Sequence, residues 1–179
     1  MANKLRELLL LRHAKSDWKK PDTADIDRPI SDKGKKAACK IAHWFGEQNI
    51  WPDLVWVSPA KRAQQTLKRL NLPKDIPVET QDALYMADRT QLLALLAKIP
   101  DGFERVLLIG HNPGFEDLIH FLIGDPKEDG TKLLPTAALA QMVLGHNWQH
   151  LSAGDGRLSH ITRPKDIARP CKEKDAPAS

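Results

Sequence analysis

Three short apolar runs break off abruptly at residues with chemistry to offer. The run from Leu5 to Leu11 ends in Arg12-His13, Leu54 to Val57 ends in Ser58-Pro59, and Val106 to Ile109 ends in Gly110-His111-Asn112. Short runs that are apolar on consecutive residues fit strands buried on both faces. The segments between them carry apolar residues at helical spacing. Ser31 before Asp32 and Lys33 is a helix N-cap, with Ala37, Ala38, Ile41, Trp44 and Phe45 in one stripe behind it. Ser58 followed by Pro59 reads as a second helix start, ended by Asn71 and Pro73. Asp88 with Gln91 resembles a capping box ahead of Leu92, Leu93, Leu95 and Leu96. Another helix follows Pro113, carries Phe115, Leu118, Ile119 and Leu122, and stops at Gly124. Pro77 to Thr80 is a short strand, and Leu139 to Leu144 and Leu158 to Thr162 read as an antiparallel pair. This alternation predicts a three-layer α/β/α sandwich with a mainly parallel central sheet.

The 179 residues suit one domain, read here as 1–162, followed by a basic, Pro-containing and mobile tail, 163–179, with Arg163, Lys165, Arg169, Lys172 and Lys174. A composition of 41% hydrophobic and 28% charged residues excludes a disordered or collagen-like chain. No stretch approaches the ~20 apolar residues of a membrane span, and Leu8 to Leu11 is shorter than the ~7–15 residues of a secretory signal. The net charge of +4 comes without a dense basic block, which argues against a nucleic-acid partner. Cys39 and Cys171 are far apart and form no metal or disulfide pattern, which points to a reducing compartment and a cytoplasmic protein. His43, His120, His146, His150 and His160 lack metal-ligand spacing, and Gly145 and Asn147 make a turn of the His146/His150 pair. Neither a metal nor a cofactor is therefore expected, and the chain is read as a monomer.

In an open α/β sheet, ligands gather outside the carboxyl ends of the strands. That rule brings Arg12, His13, Arg62 and His111 towards one crevice. Arginine binds phosphate oxygens as a planar fork of fixed charge. Phosphoryl transfer asks mainly for positioning, charge stabilisation and an in-line nucleophile, and a neutral imidazole can be that nucleophile. Lys15, Ser16, Asp17 and Lys19 read as solvated residues of the following loop, and Arg28 as an anchor for the first helix.

Four stretches together resemble the histidine phosphatase (phosphoglycerate mutase-like) superfamily: Leu-Arg-His-Ala-Lys-Ser at 11–16, Arg-Pro-Ile-Ser-Asp-Lys-Gly at 28–34, Ser-Pro-Ala-Lys-Arg-Ala-Gln-Gln-Thr at 58–66 and Gly-His-Asn-Pro-Gly at 110–114. The short chain, with no long insert after the second strand, looks most like the SixA-type phosphohistidine phosphatase branch. The resemblance implies His13 as a nucleophile that becomes phosphohistidine, Arg12 and Arg62 as phosphoryl holders, and His111 as donor to a phosphoryl oxygen. Thr136 falls where the family places a small polar residue near the phosphate, and Asn112 is a further phosphate-binding candidate.

The sequence departs from the family pattern twice. Arg-His-Gly is Arg-His-Ala here, which needs a backbone at Ala14 free of positive φ. The glutamate that supplies an acid in mutases and many phosphomonoesterases is replaced by Met86 in Ala83-Leu84-Tyr85-Met86. An alkoxide leaves badly without such an acid, whereas an imidazole nitrogen leaves without one. The expectation is therefore a metal-independent phosphatase for a phosphohistidine-bearing protein. One alternative is a small-molecule phosphomonoesterase with Asp88 as displaced acid, and another is a silent module that binds phosphorylated partners.

Overall fold

The structure is a computed structural model that describes residues 5–125, 133–145 and 147–171. Its elements run β1 (Arg6–Arg12), α1 (Asp32–Gln48), β2 (Leu54–Val57), α2 (Lys61–Leu70), β3 (Val78–Thr80), α3 (Arg89–Leu96), β4 (Arg105–Gly110), α4 (Gly114–Ile123), β5 (Leu139–Leu144) and β6 (Gly156–Thr162). The six strands form one sheet in the order β3-β2-β4-β1-β5-β6. β5 alone runs against the others, pairing antiparallel with both β1 and β6.

The four leucines of β1 show how sequence makes three layers. Successive strand side chains point to opposite faces. Leu8 and Leu10 thus join Trp56, Leu108 and the apolar sides of α3 and α4. Leu9 and Leu11 join Val55, Ile109 and the α1/α2 residues Ile41, Phe45, Ala63 and Leu70 on the other face. All four leucines are fully buried, and each contributes roughly 1.5–3 kcal/mol by leaving water. The α/β/α sandwich expected from the apolar runs is the fold observed, with the phosphoglycerate mutase-like arrangement of a mixed sheet between helices.

Helix ends follow the sequence in most cases. Ser31 caps α1 by accepting from the Gly34 amide, and Asp88 with Gln91 forms a reciprocal capping box on α3. α2 differs: it begins at Lys61, with Ala60 as its N-cap, and not at Ser58-Pro59. Ser58 is diverted because its hydroxyl is engaged by His111.

The C-terminal segment also differs from expectation. Residues 163–171, which the sequence assigns to a mobile tail, lie against α1. Lys40 Nζ donates to the carbonyls of Pro164 (3.2 Å) and Ile167 (2.8 Å). This return brings Cys171 over the helix, where it is disulfide-bonded to Cys39 across 132 residues of sequence. The reading of two unpaired cysteines is thereby corrected, and the compartment argument built on it does not stand. Residues 172–179, with Lys172 and Lys174, and His146 lie outside the described residues. Among the described residues, no helix is long and apolar enough to cross a membrane.

Gly34 illustrates how tightly the loop after β1 meets α1. A Cβ at this position would collide with the Lys15 carbonyl, whereas one at Gly46 of the same helix would meet open space. Gly34→Ala is expected to lower stability by about 1–3 kcal/mol through overpacking. Gly46→Ala is expected to raise it by about 0.5–1 kcal/mol. Denaturant unfolding of the two variants checks both signs.

Candidate active site

Strand register assembles the site. Arg12 pairs with Gly110 across β1 and β4, and Val57 pairs with Ile109 across β2 and β4. The pairing carries on past the strand ends. The His13 amide donates to Gly110 O (3.0 Å), and the Ser58 amide donates to Ile109 O (3.0 Å). Residues 13, 58 and 111 therefore stand side by side where three parallel strands stop, and the first turn of α2 adds Arg62. Arg12, His13, Arg62, His111, Asn112 and Thr136 all line one cavity of about 640 Å³.

Each ring and guanidinium is held in a defined direction. His13 Nδ1 lies 2.8 Å from Ala14 O. A carbonyl only accepts, so Nδ1 carries the proton and the lone pair of the neutral ring is on Nε2. Arg62 Nε donates to that Nε2 at 3.3 Å. Arg62 Nη2 is 3.5 Å from His111 Nδ1, and His111 Nε2 is 2.7 Å from Ser58 Oγ. The two histidine rings lie 5.1 Å apart. Ala14 avoids the left-handed backbone region, so alanine fits where the family has glycine, and its amide donates to Thr66 Oγ1 (2.9 Å).

Burial decides the charge state. His13 is pushed down to about 4, first by desolvation and then by Arg62, Arg12 and Arg28, against the opposing bond to Ala14 O. His111 is pushed down to about 3, again first by desolvation, then by His13 and Arg62. Both imidazoles are neutral at pH 7. The positive charge sits on the arginines, where a phosphoryl group would need it. Arg12 Nη1 donates to Leu134 O (3.1 Å), and Glu116 supports its charge against burial.

The profile of the Histidine phosphatase superfamily (branch 1) matches residues 8–87. The protein histidine phosphatase SixA complexed with tungstate superposes with a TM-score of 0.73 at 26% identity, covering 90% of this chain and 99% of that one. A structure assigned to phosphohistidine phosphatase SixA from Agrobacterium tumefaciens gives 0.74 at 29% identity, covering 89% and 98%. Over residues 8–87 the chain is similar to the histidine phosphatase superfamily, and the likeness to SixA structures runs over most of its length, which supports a phosphatase. An uncharacterized protein of Mycobacterium tuberculosis is 28% identical over 162 residues, 87% of this chain and 100% of that one.

The geometry separates the remaining candidates. Asn112 lines the cavity, but its Nδ2 protons go to Glu116 Oε1 (2.8 Å) and Leu134 O (3.0 Å). No donor of its side chain is left for a phosphate. Thr136 reaches the cavity wall because the Ala137 amide donates to the carbonyls of Arg12 (3.1 Å) and His13 (3.2 Å). Asp88 does not join them: its side chain caps α3 and lines a separate cavity with Asp117 and His120. Met86 stands at the cavity where the family glutamate is expected.

Four residues of the site escaped the sequence reading. Asp25 accepts from Arg62 through both its carbonyl (2.6 Å) and Oδ2 (3.0 Å), pairs with Arg28 (2.9 Å), and accepts from the Tyr85 hydroxyl (2.6 Å). Tyr85 and then Arg62 hold its carboxyl below the usual carboxylate range. Ser58 and the buried Glu116 complete the set. Only Ser58 carried a signal, its place at the end of an apolar run, and that was spent on a helix cap.

The charge states lead to a direct expectation. Over pH of about 5.5 to 8, neither His13 nor His111 should titrate in imidazole ¹⁵N NMR, because both take protons only below the ordinary range. A midpoint near 6.5 for either ring would contradict the site as described.

Proposed function

We propose that this phosphatase removes phosphoryl groups from histidine side chains of phosphorylated proteins, through a covalent phosphohistidine on His13. The observation that carries this reading is a pocket in which Arg12 and Arg62 meet two neutral histidines but no carboxylate suited to protonate an ester oxygen. Among the described residues only Asp25 lines it as a carboxylate, and Asp25 is held ionised by Tyr85, Arg62 and Arg28.

The His13 Nε2 lone pair attacks phosphorus in line with the substrate's P–N bond. That bond breaks with its electron pair returning to the leaving imidazole, which takes a proton from water. Arg12 and Arg62 hold the equatorial oxygens, where charge accumulates in the transition state. Ser58 Oγ already accepts from the Ala60 amide (3.3 Å). Ser58 Oγ anchors His111 through Nε2 (2.7 Å) and so leaves Nδ1, the nitrogen beside Arg62, facing the phosphoryl group; in the tautomer with its proton on Nδ1, His111 donates to a phosphoryl oxygen while Ser58 donates to Nε2. In the second half, water attacks phosphorus, the P–Nε2 bond breaks, and the lone pair returns to His13. The water proton leaves with inorganic phosphate or to solvent.

Turnover of a phosphohistidine-bearing protein against p-nitrophenyl phosphate, both in chelator, tests the proposal. The expected result is a kcat/KM at least ~100-fold higher on phosphohistidine, the scale of a missing general acid, and no turnover by His13→Ala. A preference for the ester would move the assignment to a small-molecule phosphomonoesterase. Tight vanadate binding without any turnover would move it to a silent phosphate-binding module.

A further inference from the structure

The mouth of the cavity is far more basic than the molecule. Seven cationic side chains and one carboxylate line it, while the whole chain carries only +4. The remaining surface is therefore net acidic. Arg12 and Arg62 serve the phosphoryl group, and Arg28 is paired with Asp25. Lys15, Lys33, Arg163 and Lys165 are left at the rim, and none of them forms an ion pair with a carboxylate of the described residues. They come from three separate parts of the chain. Ser31 donates its amide (2.8 Å) and hydroxyl (3.1 Å) to Lys15 O, which ties the loop to the start of α1 beside Lys33. The Lys40 bonds to Pro164 and Ile167 bring Arg163 and Lys165 to the same rim.

Apolar surface lies exposed among these charges. Trp18 is 72% exposed and Met86 is 55% exposed, both at the cavity. Trp18 is not a loose loop side chain: the Arg28 guanidinium stacks 3.5 Å from its ring centroid, and Arg28 is itself buried. A large aromatic held rigidly with its other face in water is the kind of anchor that carries binding energy in protein interfaces. Exposed lysines around it add steering and partner choice more than raw affinity.

We propose that this rim is a docking surface for an acidic face of the phosphorylated protein. Lys15, Lys33, Arg163 and Lys165 meet carboxylates that flank the phosphohistidine, and Trp18 with Met86 seats an apolar residue beside it. The proposal rests on the phosphohistidine reading and names the chemistry of the partner.

Two phosphohistidine peptides of equal length, one with aspartates flanking the histidine and one with serines, test it. At low salt the acidic peptide is expected to show a kcat/KM at least ~10-fold higher, an effect of electrostatic steering. The gap should close to about twofold near ~0.5 M salt. In the Lys33→Glu/Lys165→Glu variant the acidic-to-neutral ratio should fall at least ~10-fold, and in Trp18→Ala the KM for both peptides should rise. Equal kcat/KM for the two peptides at low salt, or an unaltered ratio in the charge-reversal variant, would overturn the docking surface. Turnover of neither peptide alongside turnover of phosphate esters would overturn the phosphohistidine reading beneath it, and the two failures are thereby distinguishable.

Discussion

Arg62 is a fixed charge with 2% of its surface exposed, and much of the pocket is the solution to satisfying it. A buried guanidinium without partners would cost several kcal/mol. Here Asp25 takes the outer side with its carbonyl and carboxylate, while Nε and Nη2 face the two histidines. One residue thus pins the long loop after β1 over the site. It also helps keep both imidazoles neutral. Tyr85 and Arg28 lock Asp25 in turn, so Arg62 is preorganised before any ligand arrives.

The residues at strand ends were legible in the sequence because strands announce themselves. An apolar run that stops at Arg12-His13 or Gly110-His111 fixes where those side chains lie, and parallel pairing of β1 with β4 does the rest. Arg62 was legible through its place one turn beyond β2. Asp25 was not, because it is one of four aspartates in a polar loop, with Asp17, Asp22 and Asp27. Only the long-range contact with Arg62 distinguishes it. The helix start at Ser58 failed for a related reason: a serine before a proline is a good local cap, and a histidine from another strand outbid the local use. The Cys39–Cys171 bridge lies beyond local reasoning altogether, since it depends on the chain returning to α1 after β6.

That return also links stability to the shape of the opening. The segment that brings Cys171 to α1 carries Arg163, Pro164 and Lys165 to the cavity wall. Replacement of a glutamate by Met86 removes an acid and, at the same place, adds exposed apolar surface. Both changes suit a substrate whose leaving group needs no proton from the enzyme and whose body remains outside the pocket. Asp88, the nearest acidic candidate in sequence, is occupied in capping α3.

The central claim is that the Ala14 carbonyl holds the His13 proton on Nδ1 and so directs phosphorus to Nε2. The direct measurement is to quench the enzyme in base during turnover of a phosphohistidine peptide and locate the phosphoryl group by peptide mapping and ³¹P NMR. The account predicts a single phosphohistidine at His13, substituted on Nε2. A phosphoryl group on His111, on His13 Nδ1, or on no residue while turnover proceeds would contradict it.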